Sequence, residues 1–230
     1  MLKSDDCTTH RRGFLARLAA GSLALGLGAL PASLSATSSR DGRGRVGDLP
    51  GPDEWLAGVN GKHRQVLDAV SVNNGMSLVW SMVFLNTHNQ ASKLEDRDLS
   101  AVTVLRHDSI PIAFGDSIWK RYKLGEAFDV MDPATKKPAE RNPFFHPKKG
   151  ELMIPGMELE TLLGRGVIFG ACNLATTIMS GARADAVGLP KADAYKEWVA
   201  ALIPGITLVP SGIWAVNNAQ EHGCSYAYAG

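Results

Sequence analysis

Four short stretches of this 230-residue chain carry the residue types that chemistry needs. In "GVIFGACNLATT", Gly166 to Thr177, an apolar run ends in Cys172 and Asn173 just before a helix-like pattern. A helix N-terminus brings partial positive charge and free N–H groups to a sulfur, which favours the thiolate, the form that attacks persulfides and disulfides. "AVTVLRH" ends in Arg106 and His107 directly before Asp108: a cation beside the thiolate, and a general acid/base or metal ligand. Ser211 and Gly212 of "VPSG" follow another apolar run, where Ser is a favoured N-cap and the backbone N–H groups suit an anion. Asn73 and Asn74 follow a fourth run.

The opposite reading of Cys172 also stands, since free cysteine is often a small buried apolar residue. A nucleophile at Ser211 is not expected, because the G-x-S-x-G context is absent. Neither G-x-G-x-x-G nor a Walker-type loop follows the first strand, which disfavours a nucleotide. Cys172, His107 and His146 are the one set that could hold Cu or Zn, but no two show close ligand spacing, so no metal is assigned and the cofactor stays unknown.

These residues need elements to position them. Apolar runs at 65–70, 99–107, 167–171 and 206–211 and the terminal "SYAYAG" read as five strands. Helical patterns lie between them, over "NNGMSLVWSMVFLNTHNQ", "FGDSIWKRYKLGEAF", "GMELETLLGRG", "NLATTIMSGARADAVG", "KADAYKEWVAALIPG" and "GIWAVNNAQEHG". Strands alternating with helices make βαβ units and hence one doubly wound α/β domain with a parallel sheet. Ligands of such sheets gather outside the carboxyl ends of the strands, the edge where Asn73, Arg106, His107, Cys172, Asn173, Ser211 and Gly212 all fall. Cys224 precedes its strand and Cys172 follows one, so the two thiols lie at opposite ends and stay free.

The irregular stretch 129–156, with five prolines and Phe144–Phe145, interrupts this rhythm as an insertion that serves as a flap or an interface. Residues 37–61 are rich in Gly, Pro, Arg and Asp and read as a linker with a short helical turn at Asp53–Ala57.

Residues 1–36 resemble a twin-arginine export signal: Arg11 and Arg12 before Gly-Phe-Leu, a mild Gly/Ala-rich apolar run, then Pro31 and small residues. Its removal takes four cations and two carboxylates, so the formal charge moves from +1 to −1. A near-neutral chain has no electrostatic footprint for nucleic acid or anionic membrane. The expected destination is the periplasm, reached through the Tat translocase, with no membrane association of the mature form.

"RGVIFGACNLA", the ending "GITLVPSGIWAVNNAQEHGCSYAYAG" and the opening "KHRQVLDAVSVNNG" together resemble the DsrE/DsrF-like family, in its exported branch, over residues 62–230. The resemblance implies a three-layer α/β/α fold with a five-stranded, mainly parallel sheet, assembled as a homo-oligomer, a trimer or hexamer. It also implies that Cys172 matches the position that carries a persulfide in cytoplasmic sulfur relays. Two functions follow as expectations. One is an oligomeric module binding a small molecule, metal or partner at the carboxyl edge; the other is a sulfurtransferase-like carrier using Cys172, tuned by His107 or Arg106.

Overall fold

A computed structural model describes residues 49–230; the signal expected at 1–36 and the first part of the expected linker lie outside the described residues. Five strands form one sheet: β1 (His63–Ala69), β2 (Leu99–Leu105), β3 (Ile168–Cys172), β4 (Ile206–Val209) and β5 (Ser225–Tyr228). Their order is β4-β3-β2-β1-β5 and every pairing is parallel. Helices cover both faces, which gives the expected three-layer α/β/α arrangement. Central β2 is buried at all seven positions, as a strand paired on both sides and covered on both faces must be. Edge strand β5 is mostly exposed.

Eight α-helices accompany the strands among the described residues: α1 (Pro52–Trp55), α2 (Met76–Ala91), α3 (Asp116–Arg121), α4 (Leu124–Ala127), α5 (Leu159–Gly164), α6 (Asn173–Arg183), α7 (Lys191–Ala200) and α8 (Gly212–Glu221). Side chains alternate across each strand, so the sheet feeds two cores. Leu99, Ala101 and Leu105 of β2 join a large core with residues of α2, α3, α5 and α7, including Trp119 and Trp198. Val102 and Val104 of the same strand join a smaller core with Ala215 and Ala219 of α8. The chain steps from β1 to β4 in one direction with its helices on the first face. It returns to β5 in the opposite direction through α8 on the second, as crossovers of constant hand require.

Three boundaries differ from the sequence reading. Residues 49–61 do more than link: Trp55, Leu56 and Val59 are buried in the second core, with the Trp55 indole packed closely on Gly170. That face would otherwise be covered by α8 alone. The helix expected over 114–128 is two short ones, because Lys123 takes φ 49° between them. β2 ends at Leu105, and His107 opens a 3₁₀ stretch, His107–Ala113, with φ 55°.

The insertion 129–156 carries no helix or strand beyond an isolated Met131–Pro138 bridge, yet it is tied down. The fully buried Asn142 side chain donates to the carbonyls of Ile112 and Phe114, at 2.9 and 3.0 Å. Phe144 packs on Gly75, just past the carboxyl end of β1. No helix of the described residues is long and apolar enough to cross a membrane.

Candidate functional site

The strand order decides which carboxyl ends are neighbours. β3 and β4 are adjacent, with Cys172 paired to Val209, yet the chain leaves β3 into α6 on one face and β4 into α8 on the other. Adjacent strands whose connections diverge leave a crevice between them, the topological switch point where open α/β sheets bind ligands. Cys172 and Ser211 flank that crevice, and each is the N-cap of its helix.

Cys172 is buried, and its Sγ accepts the N–H of Ala175 at 3.3 Å. The thiol thus stands in for the oxygen of a conventional cap, on the free N–H groups of the first turn of α6. Thr176 Oγ1 donates to the Cys172 carbonyl at 2.9 Å, which fixes the strand-to-helix turn. Ser211 caps α8 in the ordinary way, accepting from Trp214 N–H at 3.2 Å, as its sequence context suggested. Gly212 opens α8 and lies under Arg106: a Cβ there would fall 2.5 Å from the Cβ and Cδ of the arginine. A bare backbone at 212 lets the arginine stem lie against the N-terminus of α8 while its guanidinium turns to β1.

Arg106 is oriented by Asp68 of β1, a carboxylate almost wholly buried at 4% side-chain exposure. Nε and Nη2 donate to the two carboxylate oxygens at 2.6 and 2.8 Å, a bidentate fork. Tyr226 of β5 donates its hydroxyl to the same carboxylate at 2.9 Å. The hydrogen bonds to Asp68 hold the guanidinium pKa above its ordinary value against the cost of burial, with smaller electrostatic contributions from Tyr226 and Cys172. Burial, and then donation to Asp68, push the Tyr226 phenol upward. The unit Tyr226–Asp68–Arg106 therefore spans β5, β1 and the end of β2, and fixes a guanidinium, its charge balanced by Asp68, within electrostatic range of the Cys172 sulfur.

The other sequence candidates separate into two groups. Asn173 begins α6, but its Oδ1 accepts the Tyr195 hydroxyl of α7 at 2.7 Å, which ties it to the helix layer. His107 is half-buried beside Arg106, with Nδ1 3.3 Å from Asp108. Asn73, exposed with φ 37°, belongs to the far part of the edge near Gly230. Two strand spacings separate β1 from β3, about 10 Å. His146 is exposed, its ring tilted against that of Phe145, and bonded to Glu160 at 3.0 Å. Among the described residues no group of three or more His, Cys, Asp and Glu side chains could hold a metal ion, so the Cys172/His107/His146 set is not assembled. Cys172 and Cys224 are both free and buried, at opposite ends of parallel strands as expected.

Asp68 and Tyr226 were not among the sequence candidates. The signal for Asp68 was present: a carboxylate inside "QVLDAV", a strand buried on both faces, needs a cation beside it. Tyr226 had no comparable signal, because only the placement of β5 against β1 brings it to Asp68. Comparison with family models, curated proteins and solved structures finds no match to this chain.

Proposed function

We propose that this chain is an exported, oligomeric DsrE-like module that binds a small oxyanion or an anionic partner group in the crevice between β3 and β4. One observation carries the reading: the Arg106 stem lies against Gly212 at the N-terminus of α8, beside a switch-point crevice flanked by the N-termini of α6 and α8, and Asp68 fixes its guanidinium. Its Nη1 is not used by the Asp68 fork and remains for a ligand. Helix N-termini and a fixed guanidinium favour the same sign of charge. Equilibrium binding of sulfate and thiosulfate to the wild type, R106K and R106M tests it. The expected order is wild type, then R106K, then R106M, with R106M weaker by about tenfold or more, the range of one charge-assisted contact. Equal affinity in all three variants refutes the site.

A second reading is favoured by the place of the Cys172 sulfur on the first turn of α6. In it the Cys172 thiolate attacks the outer sulfur of a donor persulfide, the donor thiolate leaves, and Cys172 carries the sulfur to an acceptor. Intact-mass measurement of protein recovered from the periplasm separates the two. An added mass of about 32 Da that a thiol reductant removes and that is absent in Cys172→Ser supports sulfur carriage; an unmodified cysteine leaves the binding reading alone.

A further inference from the structure

The two edges of the sheet are treated differently. β4 is buried or half-buried along its length, whereas Ser225, Tyr226 and Tyr228 of β5 are exposed. The Ala229 N–H donates to the Asp68 carbonyl at 3.0 Å. The N–H and C=O of a strand residue point to the same flank, and the flank alternates from residue to residue. Ser225 and Ala227 therefore face β1 as Ala229 does, and Tyr226 and Tyr228 turn both groups outward. Monomeric proteins blunt such an edge with lysine, proline or a bulge; "SYAY" has neither residue, and its register with β1 is unbroken.

An apolar trough of about 330 Å³ runs beside the same edge, on the face of the sheet that α2 covers. Leu67 and Ala227 belong to the sheet side of it, Trp80, Val83 and Phe84 to the α2 side, and no Asp, Glu, Lys or Arg lines it. Trp80, Tyr226 and Tyr228 are 43%, 47% and 65% exposed. At the roughly 150–250 Å² that an aromatic side chain buries, these three offer about 300 Å² per chain. Two copies, with Val83 and the open strand backbone added, come to about 1,000 Å², the lower bound for a specific interface.

The edge is complementary to itself under a two-fold axis. With the axis at Ala227, normal to the sheet, two β5 strands pair antiparallel and Tyr226 falls opposite the partner's Tyr228. Both residues carry outward N–H and C=O groups, so this pair and its symmetry mate each make both of their bonds. Ala227 falls opposite the partner's Ala227 at the closer spacing of about 4.5 Å, where a small residue keeps the two troughs continuous. The partner's Tyr228 then lies against Tyr226, whose hydroxyl holds Asp68 at 2.9 Å. The Tyr226–Asp68–Arg106 unit is thereby packed from outside by the second copy. An uncharged edge that matches itself fits an isologous contact, which uses the same patch twice, and offers nothing to a charged partner.

We propose that two copies of this chain pair through β5 about that axis, giving one sheet continuous across both. The inference rests on the oligomeric part of the proposed function alone; the ligand of the crevice, read by sulfate binding, is separate from it. Sedimentation velocity of the full chain is expected to show a dimer or an assembly of dimers such as a hexamer. A227K and A227E each set like charges directly across the axis and are expected to break this contact with unchanged circular dichroism, while their equimolar mixture restores it. The Tyr226 and Tyr228 amides are expected to exchange at least about tenfold more slowly in the wild type than in A227K, with the Ala229 amide alike in both. A monomer up to about 100 µM, the outcome if the edge instead receives an extended peptide of another protein, overturns the proposal and the oligomeric reading with it. A trimer, a mixture that stays unpaired, or an assembly that both variants keep with the two tyrosine amides unprotected overturns the β5 surface alone.

Discussion

Replacing Asp68 with asparagine keeps the size of the side chain and one acceptor but removes its charge and turns an NH₂ toward the Arg106 fork. The wild-type carboxylate has 4% exposure and receives two guanidinium bonds and one phenol bond. Stranding one member of a buried pair costs about 3–5 kcal/mol. Arg106, at 24% side-chain exposure, recovers part of that through water, so about 3 kcal/mol is expected for D68N. For a domain of this size that is a fall in Tm of about 6–12 °C, or roughly 1.5 M in the urea midpoint. R106M, which strands the carboxylate instead, should cost as much or more. The double variant D68N/R106M strands no charge and should cost little beyond either single change, giving a coupling of about 2–3 kcal/mol. The assay is urea unfolding of all four proteins at neutral pH. Additivity within about 0.5 kcal/mol, or a D68N cost below about 1 kcal/mol, refutes the view that the two side chains act as one buried unit.

Two further outcomes are expected. In G170A the new methyl would sit 2.5 Å from Trp55 Cζ2, so the indole must move at a cost of about 1–3 kcal/mol. G164A, on the last residue of α5 with open space around it, should be neutral or slightly stabilising, and equal losses in the two variants would discount the Trp55 contact. Hydrogen bonding from Arg165 holds the Asp96 carboxyl below its ordinary 3.8. A depressed folded-state pKa means the stabilisation is complete above the unfolded value and is lost as pH falls through the folded one. The stability gap between wild type and R165M should therefore be constant from pH 7 to about 5 and shrink below about 4. Melts across that range check it, and a gap that persists unchanged to about pH 3 would show that Arg165 acts through something other than charge.

The strands were legible because their apolar, β-branched runs, such as "LSAVTVL", are too short for helices. Strand order was not, because periodicity says which face a residue takes and nothing about its neighbour across the sheet. Cys172 could thus be placed on the right edge from sequence, whereas its partnership with Val209, and so the crevice, required the fold. The insertion read as irregular, and it is. What escaped was that Asn142, an ordinary polar residue in sequence, is the buried peg that fastens it to Ile112 and Phe114. Residues 53–59 misled through composition: flanking Gly and Pro suggested a linker, while Trp55, Leu56 and Val59 supply the apolar cover for one sheet face.

The late return to β5 has a kinetic side. The bond from Tyr226 to Asp68 joins residues 158 apart in sequence, and the strand that carries it pairs with the first one formed. On a growing chain, β1 through β4 can associate in order of synthesis while the outer flank of β1 stays open until β5 emerges. Pairings this distant are slow because loop closure precedes any gain from contact. Arg106 is set by Asp68, and Asp68 is closed off by Tyr226, so the guanidinium reaches its final setting only when β5 docks. A chain in which β5 has yet to dock would hold a nearly complete sheet and an unfinished site.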